Sequence, residues 1–251
     1  LLSLFYLLAF LFSWSSWLLM NMVYKGVVDG TVLMLSTLGG LGPMVALWAV
    51  SRVSKEVDFG EIISGINIRK FDRWALLAVF TIPTIYVISN HLTNIVQGSE
   101  QPYLLEQYTK QYGGLILPII LVHFTASLLT SPLFEEPGWR GFALIRLQRR
   151  YGRETGSLIV GLMWWLWHQP MWITFGVQIS ALSLAIWVTK SMALDSLYNL
   201  SNRNLFVAML THQSWGTVYM FFQNPDGNIM TLFVALLFAL VLKFVEVDRK
   251  R

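Results

Sequence analysis

A chain of 251 residues that is 55% hydrophobic and only 13% charged lacks the polar surface of a soluble domain. Its net charge of +4 sits in short basic clusters between apolar runs, so the charge reports membrane topology and no nucleic-acid partner is expected. The absence of cysteine excludes a disulfide framework, a thiol nucleophile and a thiolate metal site, so any metal would need His and carboxylate ligands.

The chain opens on Leu1 rather than Met, and residues preceding it are expected. The run from Leu1 to Tyr24 is too long for a signal-peptide core and has no small-residue cleavage site, so it reads as a first spanning helix. About 20 apolar residues cross a bilayer as a helix. That length divides the chain into eight segments, at roughly 1–24, 31–51, 74–90, 115–145, 156–176, 179–198, 204–223 and 229–245. Arg52, Lys55, Arg69, Lys70 and Arg73 follow the second segment, and Arg146, Arg149, Arg150 and Arg153 follow the fourth. Arg203 follows the sixth, and Lys243, Arg249, Lys250 and Arg251 close the chain. The intervening connections hold only Lys25 and Lys110, which predicts cytoplasmic termini for an even number of spans. The expected fold is all-α: one polytopic transmembrane domain over 1–251, a bundle of about eight helices in the cell membrane, with its motifs in 115–223. Gly39, Gly40, Gly42 and Pro43 favour close helix packing, and the stretch from Leu92 to Gly114 reads as a polar, aromatic loop with an amphipathic piece along the interface.

Ionisable residues inside spans cost a few kcal/mol on insertion scales, so those that persist face a wet cavity or a partner. In "SPLFEEPGWRGFAL", Glu136 and Arg140 fall on one helix face as an i, i+4 pair, while Glu135 points roughly 100° away from Glu136. One acid can then be paired while its neighbour stays available; the bland alternative is a salt bridge that only fixes two helices. Pro137 and Gly138 predict a kink between them. His168 in "WWLWHQP" and His212 in "THQSWG" would each read alone as a packing histidine. At about 1.5 Å per residue, Glu135 lies roughly 16 Å back from Arg146, His212 roughly 13 Å in from Arg203 and His168 roughly 22 Å in from Arg153. Three helices thus bring an acid and two imidazoles to similar depth. Lys190 and Asp195, five apart, and His91 and His123 read as structural.

Such a set can act in two ways. Glu135 can deprotonate a water that attacks an amide carbonyl while His168 and His212 donate to the oxyanion or leaving amine. Alternatively Glu135, His168 and His212 can hold zinc, with Glu136 as base or outer partner. There is no HExxH motif to favour the second.

At these residues the chain resembles the CPBP family, also called Abi, which includes CAAX prenyl endopeptidases and bacteriocin-processing or immunity proteins. Glu135, Glu136 and Arg140 match its EExxxR motif; Trp164 and His168 match an aromatic-xxx-His motif in which Phe is commoner. His212 and Gly216 match a third motif, His followed four positions on by a small or polar residue, often Asn. The resemblance implies an intramembrane endopeptidase acting on a membrane-associated peptide or prenylated protein in the lipid bilayer. It makes Glu135, Glu136, Arg140, His168 and His212 catalytic, with Trp164, Ser214 and Gly216 facing substrate. Gly216 cannot make the contacts of an Asn, so Ser214 or a water would substitute. That departure leaves a non-catalytic relative, a membrane immunity or assembly factor, as the alternative. A proton or ion pathway would predict broken repeats in the two halves, and none is visible.

Overall fold

The structure, a computed structural model, describes residues 1–70, 72–98, 104–219 and 228–248, with the side chains of 104–106 left aside. Its elements in chain order are α1 (Leu2–Val23), α2 (Gly30–Gly40), α3 (Gly42–Val53), α4 (Phe59–Ser64), α5 (Arg73–Gln97), α6 (Leu104–Tyr112) and α7 (Ile116–Leu128). They continue with α8 (Ser131–Glu136), a π-helical stretch (Pro137–Leu144), α9 (Ile145–Tyr151), α10 (Arg153–Trp167) and α11 (Gln169–Thr174). The last three are α12 (Ala181–Leu200), α13 (Leu205–Val218) and α14 (Ile229–Asp248). Among the described residues every regular element is helical, as the composition predicts. Each of the eight expected segments contains a helix, although residues 220–223 of the seventh lie outside those described.

Four stretches are long and apolar enough to cross a membrane by length and composition: Leu2–Val23, Arg73–Gln97, Gln107–Tyr151 and Ile229–Asp248. The pair α2 and α3, bent by 40° at Leu41, makes a fifth when counted as one span. The other expected spans, α10 with α11, α12 and α13, fall outside that measure, and they carry His168, Lys190, Asp195 and His212. Helix α12 is buried on nearly every side, so its neighbours rather than lipid surround its polar residues.

Helix α1 shows how the lipid-facing layer is built. Phe5, Ala9, Ser13, Trp17 and Met20 recur every three or four residues and are buried, while Leu7, Leu11 and Leu18 face outward. Its buried stripe packs against α2 and α3 through their glycines. A Cβ on Gly42 would lie 2.7 Å from the Ala9 carbonyl oxygen, so only glycine permits this approach of two backbones. Pro43 occupies the first turn of α3, where its missing N–H has no intrahelical partner to lose.

The expected fourth span departs most from a plain helix. It breaks at Leu129–Thr130, restarts as α8, widens into the π-helical stretch and runs on to Tyr151. Pro137 cannot donate the hydrogen bond that a regular turn would require, and the expected kink is realised as this wider turn. All eight residues of the stretch are buried. Gly138 lets it rest on α3, since a Cβ there would come within 2.8 Å of the Pro43 carbonyl oxygen. The expected loop after residue 91 is mostly helix: α5 runs on to Gln97, and α6 occupies 104–112.

Candidate active site

Two neighbouring acids on α8 have separate partners. Glu135, 2% exposed, accepts a hydrogen bond from the Ser131 hydroxyl on Oε1 (2.5 Å) and one from the Trp164 indole N–H on Oε2 (2.8 Å). Ser131 stands one turn earlier on the same helix, whereas Trp164 reaches across from α10. Glu136 is fully buried, and its Oε1 meets both Arg140 Nη1 (3.1 Å) and His212 Nδ1 (2.7 Å). The expected i, i+4 pair therefore forms, and the expected divergence of the two acids places one in an ion network and leaves the other held by neutral donors.

Arg140, also fully buried, extends that network. Its Nε donates to Asp195 Oδ1 (3.0 Å), its Nη2 to the Ser191 hydroxyl (2.8 Å), and its guanidinium lies 4.4 Å over the Trp164 ring. Burial of this charge is tolerated because two carboxylates, a hydroxyl and an aromatic face surround it. The structural role expected of Asp195 takes the form of an ion pair with Arg140, separate from Lys190. The useful signal was the i, i+4 spacing of Ser191 and Asp195, which puts both on one face of α12. Lys190 points elsewhere, fully buried, bonding the Tyr86 hydroxyl with its ammonium 3.5 Å over the Trp215 ring.

His168 caps the end of α10 inside a tryptophan cluster. Its ring stacks on Trp172 (5.1 Å between centroids, 17°) and meets Trp164, Trp167 and Trp187 edgewise. Its Nδ1 lies 2.8 Å from the Trp164 carbonyl oxygen. A carbonyl only accepts, so Nδ1 carries the hydrogen and, in the neutral ring, Nε2 carries the lone pair. This departs from the expectation that a neutral His168 donates to an oxyanion. His212 is turned the same way, with Nδ1 toward the Glu136 carboxylate, and it keeps some exposure.

Trp164 is the common neighbour. Besides its bond to Glu135 and its contact with Arg140, its ring meets those of His168 (5.6 Å) and His212 (4.9 Å). The structure thus gathers Glu135, Glu136, Arg140, Trp164, His168 and His212 around one indole. Ser214 is not brought there: its hydroxyl lies 2.8 Å from Leu210 O and 3.1 Å from Ala78 O on α5. Gly216 is exposed on α13, where an added Cβ would meet only the Gln213 amide, no nearer than 3.8 Å. His91 is exposed and His123 half-buried, each apart from the group.

Among the described residues no three His, Asp or Glu side chains are close enough together to share a metal ion.

Comparison with known proteins comes to the same helices. Residues 115–218 match a family described as Type II CAAX prenyl endopeptidase Rce1-like. The chain is 36% identical over 76 residues to CAAX prenyl protease 2 from Methanococcus maripaludis, a match covering 30% of this chain and 28% of that protein.

Proposed function

We propose that the chain, whose motif-bearing helices match the Rce1-like CAAX prenyl endopeptidases, is a CPBP-type intramembrane endopeptidase that cleaves a prenylated or otherwise membrane-associated peptide. The observation that carries this reading is the unequal pairing of the adjacent acids: Glu136 is committed to Arg140 and His212, while Glu135 is held only by a hydroxyl and an indole. Both acids keep acceptor positions for a water, and of the two only Glu135 has no cationic side chain bonded to it. Glu135 takes a proton from that water as it attacks the scissile carbonyl. His168, through its bare Nε2, accepts from the same water and helps aim it. In this role His212 carries hydrogen on both ring nitrogens: Nδ1–H faces Glu136, and Nε2–H meets the developing oxyanion and then supplies the proton that the leaving amine requires, which Glu135 replaces with the one it took from water. Arg140 and Asp195 hold Glu136 in place and touch no reacting atom.

The substrate class is tested by incubating detergent-purified protein with prenylated CAAX peptides, unprenylated controls and leader-type peptides, with and without a chelator. Cleavage of prenylated peptides that survives chelation is the expected result. Chelator-sensitive cleavage would replace the water-and-glutamate mechanism with a metal one, and no cleavage of any peptide would favour the membrane-binding relative.

The alternating basic connections place both termini in the cytoplasm in this proposal. Because the chain has no cysteine, single substitutions report side directly. Lys55→Cys is expected to react with an impermeant maleimide only from the cytoplasmic side and Lys110→Cys only from the outside; the reverse pattern would invert the topology.

A further inference from the structure

We propose that Trp164 is a positioning residue for Glu135, its indole N–H acting with the Ser131 hydroxyl as a two-point clamp that fixes the plane of the Glu135 carboxylate. This rests on Glu135 being the base that addresses the attacking water.

A glutamate side chain turns readily about its last torsion, which is broad and roughly two-fold. The bond from Ser131, one turn back on the same helix, ties down one oxygen. The bond from Trp164 ties the other to a different helix, so the carboxylate cannot turn without breaking one of them. The second anchor is itself immobile. Trp164 has no exposure, and the rings of Trp187 (4.9 Å) and Trp215 (5.5 Å) pack on it alongside both histidines. The guanidinium of Arg140 over its face joins it to the network that holds Glu136 and His212. One indole therefore sets the relative placement of the base and of the proton donor, and its backbone carbonyl fixes the tautomer of His168 as well. Errors of about 1 Å in such placement cost about a hundredfold in rate. A phenyl ring can fill much of the same space and can keep the cation–π contact, but it has no hydrogen to donate.

The nearest control lies three residues on. Trp167 is also fully buried on α10 and in ring contact with His168, yet its indole N–H has no hydrogen-bond partner among the described residues. Trp164→Phe and Trp167→Phe thus delete the same chemical group from one cluster, once with a bond to Glu135 and once without.

Steady-state cleavage of a prenylated peptide is measured for wild type, both Phe variants, Ser131→Ala, and Glu135→Gln as the test of the base. Trp164→Phe is expected to lower kcat about 10- to 100-fold with KM within about threefold of wild type, because orientation of the base matters in the transition state and not in substrate binding. Trp167→Phe is expected to leave kcat within about threefold, and the two variants should melt within a few degrees of each other. Should Trp164→Phe fold poorly, benzothienylalanine at position 164 replaces the indole N–H with sulfur and keeps the ring shape; the same fall in kcat is expected. Wild-type kcat in either Trp164 variant, or equal losses at 164 and 167, would overturn the clamp while leaving the base assignment intact. Undiminished cleavage by Glu135→Gln would overturn the base assignment and the clamp with it.

Discussion

Glu135→Gln is expected to abolish cleavage while leaving the fold intact. Glutamine keeps the size and shape of the side chain, and its amide fits the two donors already present: the amide oxygen accepts from Trp164 Nε1, and the amide nitrogen donates to Ser131 Oγ, which can accept as well as donate. Nothing in that arrangement leaves a buried group unpaired, and a buried carboxylate is replaced by a neutral group. Thermal unfolding in detergent should therefore match wild type to within about 1 kcal/mol. An amide cannot take a proton from water at neutral pH, however, and a positioned general base contributes about 10²–10⁴ in rate. The expected result is thus a loss of that size in kcat with little change in the affinity for substrate. Near-wild-type turnover would show that another group activates the water. A loss matched by a large fall in melting temperature would mean that the variant reports on packing.

How much of this site was legible in advance depended on whether partners were near in sequence. The Glu136–Arg140 pair lies within one turn, so helical spacing alone predicted it. Depth counting also brought Glu135, His168 and His212 toward one level, because rise per residue is nearly constant along each helix. Spacing could not show what crossed between helices. Trp164 was legible as an aromatic beside His168, but its bond to Glu135 joins residues 29 apart on different helices. Asp195 was hidden for the same reason: its partner is Arg140, and comparing it with Lys190, five positions away, looked at the wrong face of α12. Ser214 misled in the opposite direction, since its closeness to His212 in sequence concealed a side chain turned to α5. The segments themselves were legible from apolar length. Of their internal breaks only the kink at Pro137 was expected: Gly39 to Pro43 pointed to close packing rather than to a bend, and the break at Thr130, just before Pro132, went unread.

The network behind the acids carries the largest expected effect on stability. Replacing Arg140 by Met keeps a long side chain over Trp164 and removes the charge that Glu136 and Asp195 share. Both carboxylates are buried within the bundle, so neither can recover the loss from water. Breaking one side of a buried pair costs about 3–5 kcal/mol, and Arg140→Met should fall in that range when unfolding is followed in mixed micelles. Asp195→Asn alone removes one of the two opposing charges and should cost less. The informative protein is the double variant. If Arg140 and Asp195 act as one unit, adding Asp195→Asn to Arg140→Met relieves an uncompensated charge, and the double variant should be more stable than Arg140→Met alone, with a coupling of at least about 1 kcal/mol. Simple addition of the two losses would mean that Asp195 finds another partner. Activity should not return with stability. His212 keeps its contact with Glu136 in the double variant, but the carboxylate that orients it has lost the guanidinium that shares the same oxygen, Oε1. A stable, inactive double variant would separate what the network contributes to folding from what it contributes to aiming His212.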